Sequence, residues 1–270
     1  MLFAVNHVTL PNRRFGEFAQ VARAIGITDV EIRNDLPGVE IADGAPPETI
    51  RRQAGTTGVR IAAINALQRF DDWNDTRAAE ATALARYARA CGARAVVLCP
   101  VNARADQRDP AARAAALRRA LAALAPILAA EGVNGLIEPL GFPQSALRTK
   151  RAALTAIDEV NAAGVFALVH DTFHHFLSGE TEIFPGRTGL VHVSGVVDGS
   201  LERADIEDRH RMLVVPDDIL GTVEQIRALR QGGYHGLVSM EAFAPGVHAA
   251  TDIAAELTAS FALLRAASPA

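Results

Sequence analysis

The sequence predicts a (β/α)8 barrel, an α/β fold, as a single domain over residues 1–270. Two observations predict this fold. Short apolar runs of about five residues alternate with longer segments of helical period, and the alternation occurs eight times, about once in 34 residues. The runs are continuously apolar, as in parallel strands that are buried on both faces. Eight strand–helix units of this length are typical of a closed barrel.

Each apolar run that we predict as a strand is followed by polar residues. In chain order the runs are Leu2–Val5, Asp29–Ile32, Val59–Ile64, Ala95–Cys99, Val133–Ile137, Val165–Val169, Leu190–Val193 and Leu237–Met240. An open doubly wound sheet is the alternative arrangement, and it requires a glycine-rich phosphate loop after the first strand. The first strand is followed by NHVTLPNRR, which contains no glycine. The closed barrel is therefore favoured.

Helical periods and capping residues predict the segments between the strands. The predicted helices are Phe15–Ile25, Pro46–Gly58, Asp75–Cys91, Pro110–Gly132, Thr149–Ala163, Pro216–Gly232 and Ala250–Leu264. In the fourth of these, Asp109 is an expected N-cap and Pro110 occupies the first helical position. The leucines of this helix recur at intervals of 4, 3 and 4 residues from Leu117 to Leu128, which predicts one buried stripe.

Composition excludes several classes of function. A hydrophobic content of 49%, a charged content of 21% and a net charge of −4 describe a soluble globular chain without a basic surface for nucleic acid or anionic membranes. Two cysteines, Cys91 and Cys99, cannot form a disulfide framework. The first apolar run precedes its basic residues, which is the reverse of a signal peptide. We therefore expect a cytoplasmic protein.

The polar residues at the strand ends are the candidates for chemistry, because the C-terminal ends of the strands form the active site in this fold. These residues are Asn6, His7, Glu31, Arg33, Asn65, Glu138, Asp171, His192 and Glu241. Three carboxylates and one imidazole among them come from four consecutive strands, and their spacing averages about 34 residues, the length of one unit. The members of this set are Glu138, Asp171, His192 and Glu241.

Each of these four residues also has a structural explanation when it is taken alone. Glu138 or Asp171 could cap the helix that follows, and His192 could be a satisfied core histidine. Taken together, three carboxylates in one barrel mouth would repel each other without a cation. The sequence therefore predicts one divalent metal ion; the oxygen ligands favour Mn²⁺ or Mg²⁺, and the imidazole permits Zn²⁺ or Co²⁺.

Other polar residues are candidates for substrate binding. His174 lies three residues beyond Asp171, so we expect it to project from the first turn of the next helix into the mouth. His170 and His175 are expected to point elsewhere. Arg209 lies in a long polar loop, where exposure to solvent is the default.

The motifs around these residues resemble the xylose isomerase-like barrels, which include sugar epimerases, hydroxypyruvate isomerases, inosose dehydratases and endonuclease IV. They are IEP at Glu138, HDTFHHF from His170, VHVS at His192 and VSMEAF at Glu241. The resemblance is closest to the 2-keto-myo-inositol isomerases of inositol catabolism and covers nearly the whole chain. The segments that carry it are FAVN at Phe3–Asn6, DVEIR at Asp29–Arg33, INAL at Ile64–Leu67, IEPLGFPQ at Ile137–Gln144 and EDR at Glu207–Arg209.

This resemblance implies a divalent metal held by the three carboxylates and the imidazole, and contacts from His174 and Arg209 to substrate hydroxyls. Asn6 and Asn65, at the ends of the first and third strands, are further candidates for substrate binding. Family analogy also suggests a homodimer. Two segments depart from the family pattern: Ser194-Gly195 stands where an acidic or amide residue usually follows the histidine, and Met212–Pro216 replaces a proline–glycine turn.

The expected substrate is a small polyol or ketose, and the expected reaction is isomerisation or epimerisation through an enediolate. Glu138 and Glu241 would remove and return the proton while the metal stabilises the enediolate. Two alternatives remain open: an inosose dehydratase that uses the same site, and a metal-dependent sugar-binding protein without turnover. Endonuclease chemistry would require a basic groove, and the net charge of −4 argues against it.

Overall fold

Eight parallel strands close into a barrel in chain order in the computed structural model, which describes residues 1–36, 41 and 44–266. Each strand pairs with the next, and β8 returns to pair with β1. The strands are β1 Leu2–Asn6, β2 Asp29–Arg33, β3 Arg60–Gln68, β4 Ala95–Cys99, β5 Asn134–Ile137, β6 Phe166–Asp171, β7 Thr188–Val193 and β8 Leu237–Met240. The predicted fold class is confirmed.

Helices follow the strands and surround the barrel. They are α1 Phe15–Ala24, α2 Pro47–Thr57, α3 Asp75–Cys91, α4 Pro110–Glu131, α5 Lys150–Glu159, α6 Thr172–Ser178, α7 Thr222–Gln231, α8 Pro245–His248 and α9 Ile253–Ala266. The predicted cap of α4 is present, since the Asp109 side chain accepts a hydrogen bond from the N–H of Ala112. The helix ends at Gly132, whose φ of 65° is left-handed and therefore suits glycine.

Three of the predicted elements have a boundary that differs from the sequence-based prediction by four residues or more. β3 continues to Gln68, beyond the predicted end at Ile64. α5 ends at Glu159, four residues before the predicted Ala163. α7 begins at Thr222 and not near Pro216, because the Asp218 carboxylate accepts hydrogen bonds from the N–H groups of Leu220 and Thr222 and folds the preceding segment into a turn. These side-chain hydrogen bonds therefore delay the start of the helix beyond Pro216.

The core has two layers, because successive residues of each strand point to opposite faces. The inner layer, inside the barrel, contains Ala63, Ala95, Val97, Leu136, Val169 and Leu190. The outer layer lies between the strands and the helices and includes the leucine stripe of α4, of which Leu121 and Leu124 are fully buried. Among the residues that the structure describes, no helix has both the length and the apolar character that crossing a membrane requires.

Candidate metal centre

Four buried side chains converge at the C-terminal ends of consecutive strands. Glu138 follows β5, Asp171 ends β6, His192 lies in β7 and Glu241 follows β8. Each offers one ligand atom, and these atoms all lie within 4.8 Å of one another. The structure thus brings together the four residues that the sequence selected as metal ligands.

His192 lies at the centre of this cluster, with both ring nitrogens facing carboxylates. Nδ1 is 2.7 Å from Oε1 of Glu138 and 3.3 Å from Oε2 of Glu241, and Nε2 is 3.2 Å from Oε2 of Glu31. Burial by itself would lower the pKa of His192, but the negative charges of Glu241, Glu31 and Glu138 outweigh burial and hold the pKa well above its usual value. The local field therefore strongly favours a cation at this position.

Asp171 has two functions, one for each carboxylate oxygen. Oδ1 caps α6 by accepting hydrogen bonds from the N–H groups of Phe173 at 2.7 Å and His174 at 3.2 Å. Oδ2 points into the mouth and accepts a hydrogen bond from Arg211 at 2.7 Å. Helix capping and membership of the cluster, which the sequence left as alternatives, are therefore compatible.

Arg211 also belongs to the site, although the sequence analysis did not select it. Its Nη2 donates to Oδ2 of Asp171 at 2.7 Å and to Oε2 of Glu241 at 2.9 Å. The guanidinium lies over the rings of Phe173 and Phe243, each with a centroid 4.7 Å away. Burial opposes the charged form, yet Asp171 and Glu241 outweigh it and raise the pKa of Arg211 above its usual value.

Glu241 is surrounded by hydrogen-bond donors. Its Oε1 accepts from Nδ2 of Asn6 at 3.0 Å and from Nη1 of Arg33 at 3.1 Å, and its Oε2 accepts from Arg211. Burial raises the pKa of this carboxyl, but the charges of His192 and Arg211 more than offset burial and hold the pKa well below its usual value. Glu241 is consequently a carboxylate at neutral pH.

Two members of the cluster, Glu138 and Glu241, line a cavity of about 460 Å³ at the barrel mouth. His174 lines this cavity, and its ring packs edge-on against Phe142 at 5.1 Å. Nδ1 of His174 is buried and has no hydrogen-bond partner among the described residues, so it can still bind a polar group. Cys99 also lines the cavity, and its Sγ is 3.5 Å from Oε2 of Glu138.

The remaining predicted substrate contacts lie in different places. Asn65 lines the cavity, but its Nδ2 donates to Oε2 of Glu31 at 2.7 Å, and Asn6 is bound to Glu241 as described above. Arg209 does not line the cavity: its side chain is 63% exposed, pairs with Glu207 and borders a neighbouring depression at the rim. The structure thus separates Arg209 from the cluster and places Arg211 there.

The sequence profile of the xylose isomerase-like TIM barrels matches residues 19–266. The chain belongs to this family. Three solved structures share its fold: a xylose isomerase domain containing protein from Salmonella typhimurium, the IolI protein solved with a binding zinc atom, and D-psicose 3-epimerase from Clostridium cellulolyticum solved with D-tagatose. A search of curated proteins finds no match.

The similarity to these three structures extends over almost the full length of every chain. The Salmonella protein is 29% identical over 97% of both chains, with a TM-score of 0.88. The IolI protein is 20% identical over 98% of this chain and 96% of its own, with a TM-score of 0.85. The epimerase is 15% identical over 100% of both chains, with a TM-score of 0.76. At 20% and 15% identity, the last two show a common fold and no more.

Two segments that the sequence analysis singled out, Ser194-Gly195 and Met212–Pro216, contact each other. Gly195 and Met212 exchange backbone hydrogen bonds of 2.8 Å and 2.7 Å. A Cβ atom at Gly195 would lie 2.7 Å from the carbonyl oxygen of Leu213, so the contact requires glycine. Oγ of the neighbouring Ser194 accepts a hydrogen bond from Nε of Arg211 at 3.1 Å. The two segments therefore act together and hold Arg211 in the mouth.

Proposed function

We propose that this chain is a metal-dependent isomerase or epimerase of a keto-inositol or ketose. The observation that carries the proposal is the convergence of ligand atoms of Glu138, Asp171, His192 and Glu241 within 4.8 Å of one another, beside a cavity that Glu138 and Glu241 line. Membership of a family with sugar epimerases among its structural neighbours supports this reaction class. The IolI protein, which was solved with a zinc atom, supports a metal. The keto-inositol substrate class rests on the sequence resemblance given above.

The donor set fits a divalent cation. Three carboxylate oxygens and one imidazole nitrogen are buried and close enough to share one ion, and mixed oxygen and nitrogen donors suit Mn²⁺, Mg²⁺, Zn²⁺ or Co²⁺. The excess of negative charge, which raises the pKa of His192, would be neutralised by such an ion. When bound, the ion would polarise the substrate carbonyl and stabilise the negative charge of an enediolate.

Glu138 and Glu241 would transfer the proton at the carbon next to the carbonyl. They follow β5 and β8, three strands apart on the barrel, and so approach a substrate from different sides. Glu241 is ionised, as a base must be, although the charges of His192 and Arg211 that lower its pKa also make it a weaker base. A pair of bases on different sides permits a proton to be removed and returned with a change of configuration or position.

Other residues would bind and orient the substrate. His174 has an unpaired buried Nδ1 among the described residues and faces the cavity, so it would bind a substrate hydroxyl. Arg211 is assigned the second hydroxyl contact in place of Arg209, because its guanidinium lies at the carboxylates while Arg209 is exposed at the rim. Asn6 and Asn65 would act through Glu241 and Glu31, to which they donate hydrogen bonds.

The test is hydrogen exchange at the α-carbon in D₂O. The protein, loaded with each of the four metals in turn, is incubated with 2-keto-myo-inositol and a series of ketoses, and products are followed by NMR. We expect deuterium at the carbon next to the carbonyl and an isomeric product. Loss of water would identify the dehydratase instead. Bound metal without exchange for any substrate would contradict the proposal and favour a sugar-binding protein.

Variants of the two bases provide the controls. Glu138→Gln and Glu241→Gln should each slow exchange by about 10²- to 10⁴-fold, the usual contribution of a general base. Glu182→Gln is the matched control, because Glu182 is an exposed glutamate that pairs with Arg151 on the surface. Its exchange rate should equal that of the unmodified protein.

A further inference from the structure

Glu31 is a fully buried carboxylate to which the proposal above assigns no contact with the metal or the substrate. It lies in β2, and its Oε2 accepts a hydrogen bond from Nδ2 of Asn65 at 2.7 Å. Its Oε1 is buried and has no hydrogen-bond partner among the described residues. A buried carboxylate with so few partners costs free energy, so packing alone does not explain a glutamate at this position.

The second partner of Glu31 Oε2 is Nε2 of His192, 3.2 Å away. Since this oxygen already accepts a hydrogen bond from Asn65, it is an acceptor, and Nε2 is the donor. The other nitrogen, Nδ1, faces Glu138 and Glu241 at 2.7 Å and 3.3 Å. The imidazole therefore directs Nε2–H away from the cluster and Nδ1 towards it.

Irregular strand pairing occurs at both residues that support the ring. The pairing of β2 with β3 shifts register between Val30 and Glu31. The pairing of β3 with β4 shifts between Ile64 and Leu67, a stretch that includes Asn65. Such irregularities redirect side chains and are frequent beside active sites. Strand pairing is therefore irregular beside both Glu31 and Asn65, the two residues joined by a hydrogen bond.

We propose that Glu31 is a positioning residue of the metal centre, which holds His192 with Nε2 protonated and Nδ1 directed at the ion, while Asn65 holds Glu31. Metal-bound histidines commonly donate their second N–H to a carboxylate, which fixes the ring and makes it a better ligand. The chain Asn65–Glu31–His192 extends from β3 through β2 to β7 across the barrel interior. This inference rests on the proposed function, because it assumes a metal at the cluster.

Zinc affinity tests the inference without any turnover. The dissociation constant for Zn²⁺ is measured by competition with a chromophoric chelator for the unmodified protein, Glu31→Gln and Glu31→Ala. We expect Zn²⁺ to bind about 10-fold more weakly to Glu31→Gln and about 100-fold more weakly to Glu31→Ala, the range for loss of a partner behind a metal-bound histidine. Glu31→Gln preserves the size of the side chain and serves if the alanine variant does not fold.

A second measurement separates positioning from general stability. In ¹⁵N NMR spectra of the zinc-loaded protein, His192 should show a protonated Nε2 and a coordinated Nδ1, and Glu31→Ala should lose the slow exchange of that Nε2 proton. Asp29→Asn is the matched control: Asp29 is a buried carboxylate on the same strand that pairs with Arg60 and Arg94. It should change stability but neither zinc affinity nor the His192 signals.

The outcomes distinguish this inference from the proposed function. Zinc dissociation constants of the Glu31 variants within twofold of the unmodified protein would overturn the role of Glu31 and leave the metal centre intact. Absence of zinc binding by the unmodified protein would overturn both. Weaker binding by the variants, together with an unmodified protein that catalyses no exchange in D₂O, would support the inference and contradict the catalytic proposal.

Discussion

The two faces of β6 carry two buried clusters of ionisable groups with opposite properties. Asp171 and His170 are adjacent in the strand and therefore point to opposite faces. Asp171 belongs to the inner cluster, which comprises the four candidate metal ligands and Arg211. His170 belongs to an outer cluster between the barrel and its helices, which comprises Lys150, His170, His175, Glu180 and Gln225.

The outer cluster is balanced in charge. Nζ of Lys150 lies 2.8 Å from Oε2 of Glu180 and 2.7 Å from Nδ1 of His175, so one cation meets one anion. Burial and the charge of Lys150 together lower the pKa of His170 well below its usual value and that of His175 to about 4. Both histidines are consequently neutral near pH 7. The charges of this cluster therefore require no further ion.

The inner cluster is unbalanced, and this difference indicates which of the two is a binding site. Carboxylates predominate there, and their field raises the pKa of His192 while burial alone would lower it. The inner cluster also borders a cavity of about 460 Å³. Both clusters take residues from the same stretch, HDTFHH, so residue type alone does not distinguish a candidate metal ligand from a structural residue. The partners of each side chain distinguish the two.

Of the substitutions that test this difference between the two clusters, the largest effect is expected for Arg211, the arginine of the inner cluster. Arg211→Lys should reduce kcat/KM about 10²-fold, since lysine cannot reproduce the planar contacts to Asp171, Glu241 and Ser194 at once. Turnover of the substrate identified by the D₂O experiment is the measurement. Arg209→Lys, two residues away on the exposed rim, is the matched control and should change kcat/KM by less than about twofold. Equal losses of kcat/KM in both variants would show that Arg209 also contributes to substrate binding.

The fold and the convergence of the four candidate metal ligands could be predicted from the sequence because they depend on local signals. Each apolar run marks a strand, and the C-terminal ends of all eight strands meet at one end of the barrel. The convergence of Glu138, Asp171, His192 and Glu241 follows from that rule alone. The start of α7 could not be predicted, because Asp218 and Gly221 override the signal from Pro216.

Arg211 could not be predicted because contacts between distant residues place it. The pairing of Gly195 with Met212 and the hydrogen bond from Arg211 to Ser194 join segments about 17 residues apart, and no local pattern announces them. Ser194 and Gly195 were visible in the sequence as departures from the family pattern. The unusual Ser194-Gly195 pair was therefore a sequence feature that pointed to this region, and Arg211 is the residue that contacts it.

A smaller effect, on stability, is expected when the cation of the outer cluster is removed. Lys150→Met leaves Glu180 without its charged partner and should lower the free energy of unfolding by about 2 kcal/mol. Glu180 still accepts hydrogen bonds from the N–H groups at positions 150 and 151, which limits the loss. Urea denaturation of the metal-free protein is the measurement. Zinc affinity should stay within twofold of the unmodified protein, whereas a parallel loss of affinity would mean that the clusters are not independent.

Acid should reveal a further effect on stability, through His175. In the unfolded chain this imidazole binds a proton near its usual pKa of 6.5, but in the fold burial and Lys150 lower the pKa to about 4, against the opposing charge of Glu180. Between these values the unfolded state holds more protons, so stability falls as pH decreases from about 6.5 to about 4 and is constant above. His175→Gln can still accept a hydrogen bond from Lys150 but does not titrate, so its urea midpoint should fall less steeply over this window. His175 is one of the groups that lower the pKa of His170, so the difference between the two profiles reports the coupled titration of both imidazoles. Identical pH profiles would show that the outer cluster takes up no proton on unfolding, and its neutrality would then no longer distinguish it from the inner cluster.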